Sequence, residues 1–392
     1  MNHRELFYHF LGQTSDFPLA IEVSHAHGVY LYTPTGKRYL DIISGIGVSN
    51  LGHGHPEVIA AVKHQVDKYM HLMVYGELVQ SPQVLLAQKL VELLPDSLNN
   101  VYLVNSGAEA TEGALKLAKR FTGRTEIVSF RHAYHGSTHG ALSIGGSENL
   151  KQAFRPLLPG ITIIDYNCYE QLKAITRQTA CVVVETIQGE AGVMVPNAGY
   201  LNKLRQQCDQ TGTLLVFDEI QCGFGRTGKL WAFEHFGVVP DILLLAKSMG
   251  GGLPIGAFIA SKQIMRSLTH SPVLGHITTF GGNPVCAAAA LAHITVVQRD
   301  RLWEQVPQKE QLFREQLKHN QIVEIRGMGL MLAIVYENAP KAQRVIARCL
   351  EEGLLTDWFL FADNCLRIAP PLIISNEQIR EACEIILKAS DA

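Results

Sequence analysis

An aspartate and a lysine, each at the end of an apolar run, have the types and positions that catalysis could use. Asp218 ends LLVFD, and Lys247 follows ILLLA further along the chain. Open α/β sheets present ligands at the carboxyl ends of their strands, so both side chains are expected at one edge. Desolvation there lowers the pKa of a lysine toward the neutral amine, which condenses with an aldehyde. Each residue also fits an ordinary role, Asp218 as a helix cap and Lys247 as a lysine that extends its amine to solvent.

The segment VNSGAEATEG places Ser106, Gly107 and Ala108 between a predicted strand and a predicted helix. Backbone N–H groups at a helix N-terminus bind phosphate, because the first turn leaves them unpaired and the helix dipole is positive there. Ser106 and Glu109 equally match the S-x-x-E capping box, which needs no ligand. From these residues alone, both interpretations stay open.

Three further polar segments adjoin predicted strands. FRHAYHGSTHG (130–140) sets an aromatic ring and a histidine before a glycine, which suits a loop that stacks on a flat cofactor ring. VVVETIQGEAGV (182–193) supplies carboxylates and an amide after a strand, and GHITTFGGNP (275–284) has hydroxyls before glycines, which suit phosphate binding or a turn. The residues concerned are Tyr134, His135, Glu185, Gln188, Glu190, Thr278 and Thr279.

The elements that must position these residues alternate between strand-like and helical patterns. Short continuous apolar runs are typical of strands buried on both faces, and amphipathic stretches between them predict parallel crossovers. The predicted strands are 101–104, 126–130, 161–164, 181–184, 213–217 and 242–245, and the predicted helices are 56–70, 81–94, 108–121 and 199–210. The pattern predicts an α/β fold with a mostly parallel sheet flanked by helices.

The alternation of strand-like and helical segments changes near residue 285, which predicts a second, smaller domain. An amphipathic helix at 302–319, two strands around 327–329, a helix at 340–352, the strand-like LRIAPPL and a last helix indicate an α+β domain. Near the start, TPTGK lies between GVYLY and RYLDI and predicts an antiparallel pair. We expect an N-terminal segment (1–50) that joins the small domain, a large domain (51–284) and a C-terminal small domain (285–392).

Composition narrows the class of partner. The 392-residue chain has a formal net charge of -2, which argues against nucleic acid and anionic membranes as partners and favours small molecules. Its eight cysteines form no CxxC or other metal spacing, so no metal site is expected and reduced thiols in a cytoplasmic protein fit best. The first residues lack a secretory signal layout, and the apolar runs are too short to span a bilayer.

Taken in order, these motifs resemble the class III aminotransferases, a fold-type I family dependent on pyridoxal 5'-phosphate (PLP) that includes acetylornithine, ornithine and 4-aminobutyrate enzymes. The most specific stretch is LLVFDEIQCGFGRTGKLWAFEHFGVVPDILLLAKSMGGGLPIGA, in which the spacing from Asp218 to Lys247 fits the family pattern. The resemblance covers nearly the whole chain. It implies the PLP-dependent transferase fold of type I, with a large PLP-binding domain and a smaller α+β domain.

The resemblance also implies roles for individual residues. Lys247 matches the lysine that holds the cofactor as a Schiff base, Asp218 the partner of the pyridinium nitrogen, and Gln221 the residue that contacts the ring hydroxyl. The phosphate turn matches Ser106, Gly107 and Ala108; Tyr134 stacks on the ring with His135 beside it, Glu185 lies near the ring, and LGHGHP (51–56) lies near the site. Thr279, with Thr278, matches a phosphate contact from the neighbouring subunit, which implies a homodimer with active sites at the interface.

For the substrate, the resemblance implies a ping-pong reaction with an amino donor and a 2-oxo acid such as 2-oxoglutarate or pyruvate. The expected donors carry a terminal amino group, as in N-acetylornithine, ornithine, 4-aminobutyrate or a diamine. Glu190 and Arg367 resemble a gating pair, in which the arginine holds a substrate carboxylate or is neutralised by the glutamate. Ser137 departs from the pattern, since many members have a carboxylate-binding arginine there. Either another cation replaces it, with Arg131 a nearby candidate by proximity alone, or one substrate lacks that carboxylate.

Two other functions stay open at this stage. The same scaffold supports aminomutases and racemases, which need no second oxo acid. A non-catalytic, PLP-binding regulatory protein is a different class, and its hallmark, loss of the lysine, is absent because Lys247 is intact. The sequence contains neither a G-x-x-x-x-G-K-S/T loop nor a strand-linked G-x-G-x-x-G motif, so it does not indicate another kind of phosphate-binding domain.

Overall fold

A seven-stranded sheet lies at the centre of the computed structural model, which describes residues 1–74 and 76–391. In chain order the strands are β1 His25–His27, β2 Tyr30–Tyr32, β3 Arg38–Asp41, β4 Asn100–Val104, β5 Glu126–Phe130, β6 Ile161–Ile164, β7 Thr179–Glu185, β8 Leu214–Asp218, β9 Ile242–Leu245, β10 Gly256–Ala260, β11 Ile322–Met328, β12 Met331–Tyr336, β13 Leu354–Leu355, β14 Trp358–Phe359 and β15 Ala362–Ile368. The central sheet has the order β4-β10-β9-β8-β7-β5-β6. All its pairings are parallel except those of β10, which runs antiparallel to both neighbours.

Helices cover this sheet and the two smaller ones. The α-helices are α1 His3–Phe10, α2 Ser44–Gly47, α3 Pro56–Lys68, α4 Ser81–Glu92, α5 Gly107–Thr122, α6 His139–Ser143, α7 Glu148–Lys151, α8 Tyr200–Thr211, α9 Lys262–Met265, α10 Pro284–Arg299, α11 Val306–Gln316, α12 Ala339–Glu351 and α13 Asn376–Asp391. Short 3-10 turns include Lys247–Gly250 and Leu302–Gln305. No helix of the described residues is both long and apolar enough to cross a membrane.

Helix α5 illustrates how the sequence produces these elements. Ser106 caps its N-terminus, where the hydroxyl accepts a hydrogen bond from the Glu109 N–H at 3.1 Å. Its buried face is rich in alanine and leucine and includes Gly113, where a Cβ would lie 2.2 Å from the ring of Phe258 on β10. Gly123 ends the helix at a φ of +69°, a conformation that glycine adopts without cost. These features place the N-terminus of α5 at the edge of the sheet where β4 ends.

The predicted mostly parallel sheet flanked by helices is confirmed, and the six predicted strands lie within two residues of their observed ends. The prediction missed β10, because GAFIA directly follows the glycine-rich segment after Lys247 and was not separated from that loop. The helix predicted at 302–319 was wrong in extent. A 3-10 turn occupies 302–305, and α11 begins at Val306, with Pro307 in its first turn, and ends at Gln316. The predicted antiparallel pair near the start is β2 with β3.

Two four-stranded sheets flank the central one. β1, β2, β3 and β13 form one sheet, so the first fifty residues pair with a strand from the C-terminal part of the chain. β11, β12, β15 and β14 form the other. Helix α10 contacts α3 and α4, and a continuous hydrophobic core extends through all these parts. The domain boundaries at 50 and 284 therefore stay predictions.

Candidate active site

A cavity of about 490 Å³ opens at the carboxyl edge of the central sheet. Parallel strands all end on this edge, so the loops that follow β4, β5, β7, β8 and β9 converge there. The predicted site residues that line the cavity are Ser106, Gly107, Ala108, Tyr134, His135, Ser137, Glu185, Glu190, Asp218, Gln221 and Lys247. Residues that are far apart in sequence thus form one polar pocket.

Lys247 supplies the amine of this pocket. It follows β9 in a 3-10 turn and has a φ of +48°, a strained conformation for a residue with a side chain. Its side chain is half-buried, and Nζ makes no hydrogen bond or ion pair with any described residue. Burial lowers the pKa of Lys247, and the Arg367 charge acts in the same direction, against Glu190, Asp218 and Glu185. The result is an unpaired amine shifted toward its nucleophilic form.

Asp218 lies at the end of β8 with its carboxylate almost completely buried. Oδ2 accepts a hydrogen bond from Nδ1 of the buried His135 at 2.7 Å, and Oδ1 accepts one from the Ile220 N–H at 3.0 Å. His135 Nε2 has no hydrogen-bond partner in the described structure. Turns and no helix follow Asp218, so it is not a helix cap, and His135 from the 130–140 loop holds its carboxylate instead.

The turn before α5 also lines the cavity. Ser106 caps the helix, but Glu109 does not complete the predicted capping box: its Oε2 accepts from the N–H and Nδ2 of Asn105, each at 2.8 Å. The turn is closely packed, since a Cβ on Gly107 would lie 2.8 Å from Ile220 and one on Gly136 would lie 2.6 Å from the Cβ of Ala108. Glycine at these points brings the backbone N–H groups close to the cavity.

Glu185 and Gln221 contribute a carboxyl group and an amide to the lining of the pocket. Burial, reinforced by Asp218, raises the pKa of Glu185 well above its usual range, and its Oε2 has no hydrogen-bond partner among the described residues. Gln221 Nε2 donates to Glu190 Oε1 at 3.3 Å. The predicted Gln188 instead donates to the carbonyl of Arg131 at 3.1 Å and does not line the cavity.

Glu190 and Arg367 form a buried, bidentate ion pair. Nη1 and Nη2 of the arginine donate to Oε1 and Oε2 of the glutamate, both at 2.9 Å, with 5% and 7% of the side chains exposed. Burial opposes ionisation of Glu190, but the hydrogen bonds and charge of Arg367 outweigh it and lower the pKa to about 2. The pair is therefore fully charged at neutral pH, and only Glu190 of the two lines the cavity itself.

Besides Gln188 and Arg367, three predicted residues do not line this pocket. Thr278 lines a separate cavity of about 320 Å³, where its hydroxyl accepts from Asn105 Nδ2 at 3.4 Å, and Thr279 is exposed on the surface. Arg131 is exposed, does not line the pocket, and is neutralised by Asp165, with Nε to Oδ1 at 2.6 Å. Proximity in sequence therefore did not identify a substitute for the family arginine, because Arg131 is paired with Asp165 outside the pocket.

Sequence reasoning missed two carboxylates near the site. Glu219, next to Asp218, is buried and accepts backbone hydrogen bonds from Ala232 and Phe233 at 2.8 and 2.6 Å. Its position directly after a buried strand could have singled it out. Asp357 accepts from Arg367 Nε at 2.8 Å, and no sequence signal connects these two residues.

The residues of the pocket fit PLP. An unpaired amine suits the aldehyde, the capped N-terminus of α5 suits the phosphate, and the buried Asp218 suits a protonated ring nitrogen. Glu185 Oε2 and His135 Nε2 are buried polar atoms still without partners, as expected of a pocket shaped for a polar ring. No group of three described residues has the geometry to hold a metal ion.

Fold and pocket together define a PLP-dependent transaminase of fold type I. The sequence model of the class-III aminotransferase family matches residues 12–389, and the chain belongs to this family. An acetylornithine aminotransferase of Methanocaldococcus jannaschii is 40% identical over 374 residues, which cover 92% of this chain and 91% of the relative. A LysW-aminoadipate semialdehyde/glutamate semialdehyde transaminase of Sulfolobus acidocaldarius is 37% identical over 362 residues, covering 91% of each.

Solved structures agree with this assignment. The ornithine aminotransferase of Toxoplasma gondii, whose structure is described with partial occupancy of PLP at the active site, superimposes with a TM-score of 0.91 at 31% identity. The match covers 98% of this chain and 92% of that one. The predicted fold, family, cofactor and enzyme class are thereby confirmed.

Proposed function

We propose that this transaminase transfers a terminal amino group from its donor to a 2-oxo acid, with Lys247 and Asp218 as the catalytic residues. The observation that carries the proposal is the unpaired amine of Lys247 in the same pocket as the buried carboxylate of Asp218. PLP supplies the electron sink for this chemistry when it is bound. The half-buried position of Lys247 limits the access of water to its amine.

Each residue has a distinct task in this proposal. Asp218, fixed by His135, holds a proton on the ring nitrogen, because an ionised carboxylate favours the charged form of its neighbour. Lys247 Nζ would hold the cofactor through its aldehyde at rest and, once free, would take up and return the proton that the reaction moves. Ser106, Gly107 and Ala108 would hold the phosphate, Tyr134 would stack on the ring with Glu185 beside it, and Gln221 would contact the ring hydroxyl.

The relatives support the substrate class. They are named for acetylornithine, ornithine and semialdehyde substrates, which in the amino form carry a terminal amino group. A 2-oxo acid such as 2-oxoglutarate completes the cycle when its carboxylate displaces Glu190 from Arg367. The two arrangements of this pair allow one pocket to accept a donor without that carboxylate and an acceptor with it.

Ser137 narrows the choice of donor. It is exposed at the cavity and its hydroxyl lies 3.1 Å from that of Tyr134, so a neutral pair stands where a guanidinium would bind a second carboxylate. Serine cannot replace a bidentate arginine. We therefore expect donors that present a neutral group, or none, at Ser137.

We also propose a homodimer with active sites at the subunit interface. Apolar side chains are exposed on two contacting segments beside Thr278, where the rings of His71 and Phe280 lie 4.7 Å apart. The exposed apolar residues are Met70, Leu72, Met73, Leu78, Val79, Ile277 and Phe280. A second copy that covers this surface would bring Thr278 and Thr279 to the partner's phosphate site. Eight free cysteines support a cytoplasmic location.

The first experiment is an absorbance spectrum of the purified protein beside Lys247→Ala. The native protein should show the band of the lysine-bound cofactor, and the variant should lack it. Terminal amines are then added one at a time, with and without 2-oxoglutarate. A donor that bleaches the band until the oxo acid restores it supports the proposal and identifies the substrate. Conversion of a donor with no oxo acid present would indicate a mutase or racemase, and absence of the band in PLP-treated protein would overturn the assignment of Lys247.

A further inference from the structure

Five consecutive residues, Asp357 to Phe361, surround the Glu190–Arg367 ion pair, and we refer to them as the 357–361 segment. Three of them contact the arginine. Arg367 Nε donates to Asp357 Oδ1 at 2.8 Å, Nη2 donates to the Trp358 carbonyl at 2.9 Å, and the guanidinium carbon lies 4.3 Å from the ring centroid of Phe359. The arginine is thus held on one edge and one face independently of Glu190.

The same segment holds the glutamate. The Leu360 N–H donates to Glu190 Oε2 at 3.2 Å, and the Phe361 N–H donates to the Glu190 carbonyl at 3.0 Å. The Phe361 ring stacks at 5.9 Å on His132, which belongs to the loop that carries Tyr134. The 357–361 segment therefore connects the ion pair to the loop over the cavity.

Two different carboxylates bind two different edges of the guanidinium. Glu190 occupies the edge formed by Nη1 and Nη2, and Asp357 occupies Nε. When the glutamate side chain leaves, Arg367 loses its bidentate partner but keeps Asp357, the Trp358 carbonyl and the Phe359 ring. A planar, pre-oriented guanidinium loses less rotamer freedom on binding a carboxylate than one released into the pocket.

We propose that Asp357 is a positioning residue that keeps Arg367 directed at the cavity, so that an acceptor carboxylate takes the place of Glu190 on the same two nitrogens. The inference rests on the proposed role of Arg367 in binding the 2-oxo acid. Asp357 is suited to this task because only 20% of its side chain is exposed and little water competes for Arg367 Nε.

The test uses the PLP-loaded enzyme and compares Asp357→Ala, Asp357→Asn and Asp363→Ala. Asp363 is an exposed carboxylate on β15, the strand that carries Arg367, and serves as the matched control. Asp357→Ala should raise the KM for 2-oxoglutarate at least tenfold and weaken binding of glutarate, an unreactive dicarboxylate, to a similar degree. Single-turnover reaction with a terminal amine that lacks a second carboxylate should change less than twofold. Asp357→Asn should stay within threefold of the native enzyme, because its amide oxygen still accepts from Nε.

Each other outcome overturns the inference. An unchanged KM and glutarate affinity in Asp357→Ala would show that Arg367 needs no second carboxylate. Equal losses in the donor and acceptor reactions would indicate a structural effect, as would a loss in Asp357→Asn equal to that of the alanine variant. Arg367→Ala separates this failure from that of the proposed function: if it also leaves the 2-oxoglutarate KM unchanged, the acceptor role of Arg367 itself is wrong.

Discussion

Gly136 lies against the first turn of α5, where the proposed phosphate site is. A methyl group here would come within 2.6 Å of the Ala108 Cβ and 2.9 Å of its Cα. The backbone φ of +126° is also one that L side chains rarely adopt. Gly136→Ala is therefore expected to push the turn that contains Ala108 away from the loop that carries Tyr134.

The size of the effect follows from these two contributions. Backbone strain of this kind costs about 1–3 kcal/mol, and an extra methyl group in a packed site costs about 1–3 kcal/mol. The crowding involves Cα as well as Cβ of Ala108, so it is relieved only by movement of the backbone. If this movement weakens the hydrogen bonds to the phosphate by about 1.4 kcal/mol, the affinity for PLP falls tenfold.

The assay compares the affinity of the apoprotein for PLP and for pyridoxal, which lacks the phosphate. Gly136→Ala should reduce the preference for PLP at least tenfold. Gly123→Ala is the matched control at the other end of α5, since Gly123 has a φ of +69° and no atom within 4 Å of a Cβ. It should cost about 1–2 kcal/mol of stability without changing the preference. An unchanged preference in Gly136→Ala would refute the phosphate site at this turn, and equal losses in both variants would show only destabilisation.

Three further predictions concern buried charges. Arg226→Lys should lower the Tm by at least about 2 °C in calorimetry, because one lysine nitrogen cannot replace both Nη1, which donates to the Leu330 carbonyl, and Nη2, which donates to Asn50 Oδ1; an unchanged Tm would contradict this. Glu219→Gln should lower the urea midpoint, since both carboxylate oxygens accept backbone N–H groups and an amide nitrogen cannot; a midpoint equal to that of the native protein would disprove it. Glu190 has its pKa lowered from 4.5 to about 2, so its contribution to stability, at most ~3 kcal/mol, is present above pH 4.5 and lost toward pH 2. The Tm difference between the native protein and Glu190→Gln should therefore shrink from pH 6 to pH 3, and a constant difference would argue against it.

Much of the fold was predictable because the signals are local. Buried strands such as Ile242–Leu245 are short apolar runs, and α5 has its cap, its apolar face and its terminal glycine within one segment. The strand that escaped prediction, Gly256–Ala260, is equally apolar but directly follows the glycines after Lys247. Its place between β4 and β9 depends on pairing between strands distant in sequence, which no local period encodes.

The sequence by itself determined the family and the cofactor, and it singled out most of the residues that line the pocket, because catalysis requires particular side chains at the ends of particular strands. Only the tertiary structure decided how those side chains are paired. His135 reaches Asp218 across 83 residues, and Arg367 reaches Glu190 across 177. It also showed that Asp165 neutralises Arg131 and that Asp357 holds Arg367. The physical reason is that hydrogen bonds and ion pairs depend on distances of about 3 Å, which are set by how whole elements pack and not by spacing along the chain.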